Sequence, residues 1–216
     1  MFPVKDENPS SITPVVTWLL IASCVSIFVW QFAGDFDRII LGYGFTPARI
    51  ANGEGYYTLI TSMFLHGGIL HLFGNMLYLY IFGDNVEDMC GHLSFFVFYM
   101  LSGVLASLVF ALTSWGSTVP AVGASGAISG VLGGYMVLFP KVRIKTAVTL
   151  GWFIRLIYVP AYVMIGLWFA YQFLLALLAV ETGTAYWAHT GGFAAGVALV
   201  KVFARRKRCH PMYYLR

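Results

Sequence analysis

Long apolar stretches separated by short polar ones constrain this chain more than any other feature. A helix needs about 20 apolar residues to cross the hydrocarbon core of a bilayer. Six stretches reach or approach that length, at about 14–33, 69–83, 93–112, 125–139, 156–180 and 186–203. Only 10% of the 216 residues are charged, whereas a soluble domain carries about 25%. The sequence therefore predicts an all-α membrane protein, a bundle of six transmembrane helices.

Basic residues predict the orientation of that bundle, because Lys and Arg collect in cytoplasmic segments. With six spans, both termini and the linker 140–155 share one side. Because no organelle-targeting feature is evident, we expect that side to be the cytoplasm of a prokaryote, with the protein in its plasma (inner) membrane. The net charge of +4 then follows from topology and requires no nucleic-acid partner. Eleven of the thirteen basic residues lie on this side: Lys5, Lys141, Arg143, Lys145, Arg155, Lys201, Arg205, Arg206, Lys207, Arg208 and Arg216.

The apolar stretches divide the chain into three parts. We predict a short cytoplasmic N-terminal segment at 1–13, the transmembrane domain at 14–204 and a basic cytoplasmic tail at 205–216. The outer segment 34–65 is rich in aromatic and aliphatic residues and is expected to lie in the membrane interface. The second and fourth stretches are short and begin with polar residues, which favours a water-filled depression that opens outward.

The three scattered cysteines argue against a disulfide framework or a zinc site: Cys24, Cys90 and Cys209.

Five polar residues lie at membrane depth, where ionisable and amide groups are costly and are usually functional. They are His66, His71 and Asn75 at the second helix, Ser125 at the fourth and His189 at the sixth. All five lie at the outward ends of their helices in the predicted topology. They can therefore converge on one outward-facing cavity.

Ser125 and His189 are the pair that could carry chemistry. Ser125 lies in Gly123-Ala124-Ser125-Gly126 at the start of a helix, whose free N–H groups would face an oxyanion formed on an attacked carbonyl. The imidazole of His189 can take the serine proton and return it later. Each residue alone also has an ordinary explanation, because serine often packs between membrane helices and an interfacial histidine often binds water.

Glycines at intervals of four residues accompany both side chains. Gly126, Gly130 and Gly134 line one face of the fourth helix, and Gly192 and Gly196 repeat the spacing on the sixth. Small residues at this spacing let helix backbones approach closely in membranes. Because the serine and the histidine each precede such a stripe, close packing of the two helices would bring them within hydrogen-bond distance.

His71 and Asn75 share one helix face, because they are four residues apart. Both can donate hydrogen bonds, so together with the backbone N–H of Ser125 they could hold a tetrahedral oxyanion. An interhelical hydrogen-bonded pair that only stabilises the bundle explains them equally well. His66 lies five residues before His71, nearer the outer surface, and is expected to orient the outer loop.

Together these residues resemble the rhomboid family of intramembrane serine proteases. The resemblance spans about 58–200, and the chain is similar to the minimal six-helix form of that family. Its motifs are His66-xxxx-His71-xxx-Asn75, then Gly123-Ala124-Ser125-Gly126, then Ala188-His189 with Gly192 and Gly196, and also Glu87 with Gly91 in the turn after the second helix.

The resemblance implies a role for each of these residues. Ser125 would be the nucleophile and His189 the base, while His71, Asn75, Gly123 and the Ser125 amide would form the oxyanion site. The substrates would be transmembrane or juxtamembrane segments of other proteins in the lipid bilayer, and the chemistry would need no metal and no organic cofactor. Supporting positions would be His66, Glu87, Gly126, Gly130, Gly192 and Gly196.

Two positions depart from the family pattern. Many members carry Trp-Arg in the first outer loop, where this chain has Tyr57-Thr58. Some members place an aromatic ring four residues after the serine, where this chain has Ser129.

Glu181 is the only acidic residue close to His189 in the sequence, so the residues support a Ser–His dyad and not a triad. Another group must therefore orient His189.

Two other functions are compatible with parts of the sequence. A catalytically inactive rhomboid-like protein could bind membrane proteins or serve their quality control, although such a protein would be expected to lack the serine or the histidine. A transporter could use the three histidines as a proton relay or a zinc site, but this leaves Ser125 and the glycine spacing unexplained. The natural substrate and the oligomeric state do not follow from the sequence.

Overall fold

The computed structural model describes residues 2–150, 153–180 and 183–205. Glu181, Cys209 and the tail after Arg205 lie outside these residues. Within the described residues the elements follow one another as β1 (Phe2–Asp6), α1 (Val15–Ala33), α2 (Phe36–Tyr43), α3 (Pro47–Ala51), α4 (Thr58–Thr61), α5 (Ile69–Cys90), α6 (His92–Thr113), α7 (Ser125–Leu138), β2 (Arg143–Leu150), β3 (Phe153–Pro160), α8 (Ala161–Leu177) and α9 (Tyr186–Phe203).

The six predicted helices are all present, as α1, α5, α6, α7, α8 and α9. By length and composition, α1 and α6 are long and apolar enough to cross a bilayer, and α7 and α8 are shorter apolar helices. The helix α7 packs against α5, α6, α8 and α9, so it lies at the centre of the bundle. Every residue from Ala127 to Tyr135 is buried there.

Glycines allow α7 and α9 to approach so closely that side chains would not fit between them. A Cβ on Gly192 would overlap the carbonyl oxygen of Gly126, and a Cβ on Gly196 would overlap that of Gly130. Such contacts require small residues on both helices. The glycines therefore set the separation of the two helices that carry the predicted nucleophile and base.

The helix α5 is longer than the sequence pattern predicts, because its polar end is paired within the protein. The prediction of a short second helix is wrong, since α5 has 22 residues, whereas α7 is short as predicted, with 14. The Asn85 amide donates to the Asp6 carboxylate at 3.0 Å. The buried carboxylate of Glu87 accepts from two backbone N–H groups at the start of α1, at 2.9 and 2.8 Å. Glu87 therefore lies inside the helix and not in a turn. The helix α5 ends at Cys90 and is capped by Gly91, where φ is +78°.

A small antiparallel sheet replaces part of the predicted linker and of the fifth helix. The strands lie in the order β1-β2-β3, and Phe2 pairs with Ala147 across the first two. Because β3 occupies the residues before Ala161, the predicted start of the fifth helix at 156 is wrong, and the bundle is not purely helical. Ile144 and Val159 are buried against the bundle, and β-branched residues of this kind favour a half-buried strand.

The outer segment between α1 and α5 contains the short helices α2, α3 and α4, and polar contacts fasten it. The hydroxyl of Tyr57 donates to the carbonyl oxygen of Gly42 at 2.9 Å. The guanidinium of Arg49 donates to the same carbonyl oxygen at 3.2 Å and to the Tyr57 hydroxyl at 3.1 Å. Phe45 pairs with Ala121 in an isolated bridge, which ties this segment to the loop before α7. Tyr57 thus anchors the loop at one of the positions that depart from the family pattern.

Candidate active site

Ser125 is the first residue of α7, and the loop before it is held in a conformation that suits glycine. Gly123 has φ of +128°, which L-residues with a side chain rarely adopt. Its N–H donates to the carbonyl of Ser62 at 2.9 Å. Because the first N–H groups of a helix have no acceptor within that helix, the start of α7 presents donors beside the Ser125 hydroxyl.

The structure brings Ser125 and His189 together. His189 lies in the first turn of α9 and is 9% exposed. Its Nε2 lies 2.8 Å from the Oγ of Ser125, which is hydrogen-bond distance. The two residues are 64 positions apart in the chain. The close crossing of α7 and α9 at the glycines therefore places the hydroxyl and the imidazole in contact.

Gln172 of α8 contacts the other ring nitrogen of His189. The distance from Nδ1 to the Oε1 of Gln172 is 2.8 Å. Because a carboxamide oxygen only accepts hydrogen bonds, Nδ1 carries the proton in this contact. The unprotonated Nε2 is then free to accept the hydrogen bond of Ser125. This is the tautomer in which histidine can act as a base toward serine.

Two aromatic rings also pack around His189. The ring of Trp168, on α8, lies 6.1 Å from the imidazole centroid and is inclined by 31°. The ring of Tyr186 lies 6.4 Å away and is nearly perpendicular. Ser129 faces elsewhere, because its hydroxyl donates to the carbonyl of Ser125 at 2.7 Å. The ring expected four residues after the serine in some relatives is thus replaced here by groups on α8 and α9.

His71 and Asn75 supply donors on α5, and His71 lies beside the loop that leads to Ser125. Nδ1 of His71 accepts from the N–H of Gly67 at 3.3 Å, so Nε2 carries the proton of the neutral ring. That side of the ring lies against the loop before α7, because a Cβ on Gly123 would be 2.8 Å from Nε2. The Nδ2 of Asn75 is buried and has no hydrogen-bond partner among the described residues. A buried donor without a partner is costly. A hydrogen bond from this Nδ2 to an acceptor that forms transiently is therefore favourable.

His66 lies behind His71 and connects it to α1. The two imidazole rings are 5.2 Å apart and nearly edge to face. The backbone N–H of His66 donates to Oε1 of Gln31 at 3.0 Å, and Nε2 of Gln31 donates to the His66 carbonyl at 3.2 Å. The Gln31 side chain therefore holds the backbone at His66, in the segment that leads into α5.

A cavity of about 40 Å³ lies beside Ser125. Since a site needs only about 10–15 Å³ to hold a water molecule, this space has room for water next to the hydroxyl. Within the part of the chain that the structure describes, no three His, Cys, Asp or Glu side chains are grouped so that they could hold a metal ion. Residues lining the cavity include Phe45, Ser62, Gly123, Gly126 and Ala188.

The chain is similar to several known proteins. RHOMBOID-like protein 4 from Arabidopsis thaliana is 31% identical over 72% of this chain and 36% of that protein. Rhomboid protease GluP from Bacillus subtilis is 36% identical over 56% of this chain and 24% of that protein. Rhomboid-like protease 3 from Toxoplasma gondii is 28% identical over 97% of this chain and 74% of that protein. The chain thus spans about a third or less of the length of the first two.

The family comparison covers the region that holds the site. The model of the Rhomboid domain matches residues 53–206, which include α5, α7, α8 and α9. These helices carry Ser125, His189, Gln172, His71 and Asn75. The chain therefore belongs to the rhomboid family of integral membrane proteins.

Proposed function

We propose that the protein is an intramembrane serine endopeptidase that cleaves transmembrane or juxtamembrane segments of other membrane proteins. The contact between Ser125 Oγ and His189 Nε2, which is 2.8 Å long and partly buried in a helical bundle, carries this proposal. One of the similar proteins is named a rhomboid protease and another a rhomboid-like protease, which supports it. We also propose that the site opens on the outer side of the membrane and that both termini are cytoplasmic.

Acylation follows from the geometry around Ser125. The Oγ attacks the carbonyl carbon of the scissile bond while its proton passes to Nε2 of His189. Donors that surround the resulting oxyanion are the N–H of Ser125, Nε2–H of His71 and the unpaired Nδ2 of Asn75. Fixed donors of this kind stabilise the transition state more than the ground state. His189 then gives its proton to the leaving amine, the C–N bond breaks and an acyl-enzyme remains.

Deacylation uses the same groups in reverse. A water molecule, for which the cavity beside Ser125 has room, gives a proton to Nε2 of His189 and attacks the acyl carbonyl. The bond to Oγ breaks and the serine recovers its proton from the imidazole. The site therefore needs water within the membrane. The polar ends of α5, α7 and α9 lie together at one end of the bundle and allow water to reach it.

The substrate must be extended at the bond that is cut. In a helix each peptide carbonyl accepts an internal hydrogen bond and is shielded by its own turn, so Ser125 cannot reach it. Small or helix-breaking residues lower the cost of local unwinding. We therefore expect cleavage near such residues in a transmembrane or juxtamembrane segment.

Two assays together test the proposal: labelling by a serine-reactive fluorophosphonate probe and cleavage of a transmembrane test substrate. The wild-type protein in detergent should be labelled and should cleave the substrate, and Ser125→Ala should lose both, with cleavage falling at least about a thousandfold. Ser107→Ala is a matched control, because Ser107 lines the same cavity without contacting His189. Cleavage that persists in Ser125→Ala would contradict the proposal. A wild-type protein that neither reacts nor cleaves would instead favour a binding protein.

A further inference from the structure

The second ring nitrogen of His189 needs a partner, and the structure supplies one that the sequence pattern does not reveal. We propose that Gln172 is a positioning residue that sets the tautomer of His189, so that the functional unit is Ser125–His189–Gln172. This inference rests on the proposed function. It extends that function by assigning to α8 a part in preparing the base.

Burial keeps the contact between Gln172 and His189 away from bulk water. Both side chains are 9% exposed, and the atoms Oε1 and Nδ1 are 2.8 Å apart. A neutral imidazole carries its proton on one nitrogen only. With the amide oxygen of Gln172 at Nδ1, a proton on Nε2 instead would leave two acceptors, Oε1 and Nδ1, facing each other with no hydrogen between them. The contact therefore favours the form whose Nε2 accepts from Ser125.

Gln172 also stabilises the charged form that arises during catalysis. When His189 takes the serine proton, both ring nitrogens become donors, and the hydrogen bond to Gln172 becomes a charge-assisted bond, which is roughly twice as strong. None of the described carboxylates hydrogen-bonds to His189. The amide oxygen thus serves where an aspartate serves in a serine triad, without introducing a buried negative charge.

One face of α8 supplies two contacts to His189. Trp168 and Gln172 are four residues apart, so they lie on the same side of the helix. Trp168 packs its ring against the imidazole, while the Oε1 of Gln172 accepts a hydrogen bond from Nδ1–H. Together they restrict the rotation of the ring about its side-chain bonds. This explains how His189 is oriented although Ser129 offers no ring.

Kinetics of two substitutions test whether Gln172 acts through His189. Gln172→Met keeps the length of the side chain but removes the amide acceptor, and we expect kcat to fall by about 10- to 100-fold, as for other partners of functional histidines, with KM little changed. Gln172→Glu keeps an oxygen acceptor and should retain kcat within about threefold of the wild type. The rate of fluorophosphonate labelling of Ser125 should follow kcat, because both depend on the same base.

A spectroscopic measurement tests the same role of Gln172 without relying on catalytic turnover. In protein labelled with ¹⁵N-histidine, the His189 resonances, assigned by their loss in His189→Gln, should show a protonated Nδ1 and an unprotonated Nε2. In Gln172→Met the Nε2-protonated form should become populated, whereas in Gln172→Glu it should not. An unchanged tautomer in Gln172→Met, or an unchanged kcat in that variant, would overturn the inference. Activity that survives Ser125→Ala would overturn the proposed function instead, and the tautomer would still decide the part played by Gln172.

Discussion

At the scale of single residues, the protonation of a partly buried carboxyl depends on its burial and on the groups that contact it. Asp6 is an example outside the membrane-spanning helices. Its carboxylate accepts from the Tyr135 hydroxyl at 2.7 Å and from the Asn85 amide at 3.0 Å. Burial raises the pKa of Asp6 from 3.8 to about 6; the Tyr135 hydrogen bond opposes the rise, and the nearby Asp84 carboxyl adds to it. Its proton therefore affects how firmly β1 is held to α5 and α7.

We predict that this carboxyl makes the protein less stable as pH rises from about 4 to about 6. In that window folded Asp6 keeps a proton that the unfolded chain has released, so stability falls as pH increases and stays at its lower value above the folded pKa. Asp6→Asn removes the titration but keeps a hydrogen-bond acceptor. The melting temperature of Asp6→Asn should therefore exceed that of the wild type increasingly between pH 4 and pH 7.

Asp37→Asn is the matched control for this titration, because Asp37 is an exposed acid on α2. Its melting temperature should follow the wild type at each pH. A constant difference between Asp6→Asn and the wild type across the range would show that the folded state does not hold the proton.

The sequence reveals the rare polar residues of the site but not their partners. Ser125, His189 and His71 are recognisable because ionisable or hydroxyl groups stand out in apolar stretches. Ser125 and His189 also precede glycine stripes. Gln172 is equally visible as an amide in an apolar run, yet its meaning depends on the rotation of α8 about its axis. That rotation is set by packing against α9, which no local pattern encodes. Gln31 escapes notice for the same reason, since its partner is the backbone of His66.

At the scale of helices, the crossing of α7 and α9 is the contact on which the site depends. We predict that Gly196→Ala lowers stability by about 1–3 kcal/mol, the usual cost of adding a methylene to a tightly packed site. The added methyl would overlap the carbonyl oxygen of Gly130. Because the helices must separate to admit it, proteolytic activity should fall as well. Thermal unfolding in detergent and cleavage of the test substrate measure both effects.

Gly166→Ala provides the control for that prediction, because it makes the same change in a helix where the added methyl meets no atom within 4 Å. It should leave the melting temperature unchanged or slightly higher, since alanine favours a helix over glycine. Equal effects of the two substitutions would show that the helix crossing is looser than its geometry indicates.

The six helices are predictable from apolar length, but the ends of α5 and α8 are not. The polar end of α5 looks like a turn because the groups that satisfy Glu87 and Asn85 come from the N-terminal part of the chain. The run Leu156–Val159 is apolar, and apolarity alone does not distinguish a buried strand from a helix. Its strand partners include β2, which in turn pairs with β1 at the other end of the sequence. Elements that depend on partners distant in the sequence are therefore the ones that local sequence patterns do not predict.

At the scale of the whole molecule, all the groups of the proposed active site lie at one end of the bundle and the small sheet lies at the other. The helices α7 and α9 begin at the site and run toward the sheet end, where α8 begins. The predicted topology assigns the sheet end to the cytoplasm, because most basic residues cluster there.

Cysteine labelling in sealed, oriented membrane vesicles tests this sidedness. In a Cys209→Ser background, which leaves the buried Cys24 and Cys90, we expect a membrane-impermeant maleimide to label Glu54→Cys from the outside. Lys141→Cys should react only after permeabilisation. Both positions are exposed in the protein, so access to the reagent depends on the membrane and not on burial. Reaction of Lys141→Cys in intact, outside-out vesicles would refute the topology.

The pairing of β1 with β2 also constrains the order in which the protein is made. Phe2 pairs with Ala147, so the first strand leaves the ribosome long before its partner exists. At a synthesis rate of about 5–20 residues per second, the delay is roughly 7–30 s. During that time the edge of β1 has no neighbour, and the helices α1, α5, α6 and α7 can be inserted. Closure of the sheet is then a late event in biosynthesis, and it joins the start of the chain to the segment that leads into α8.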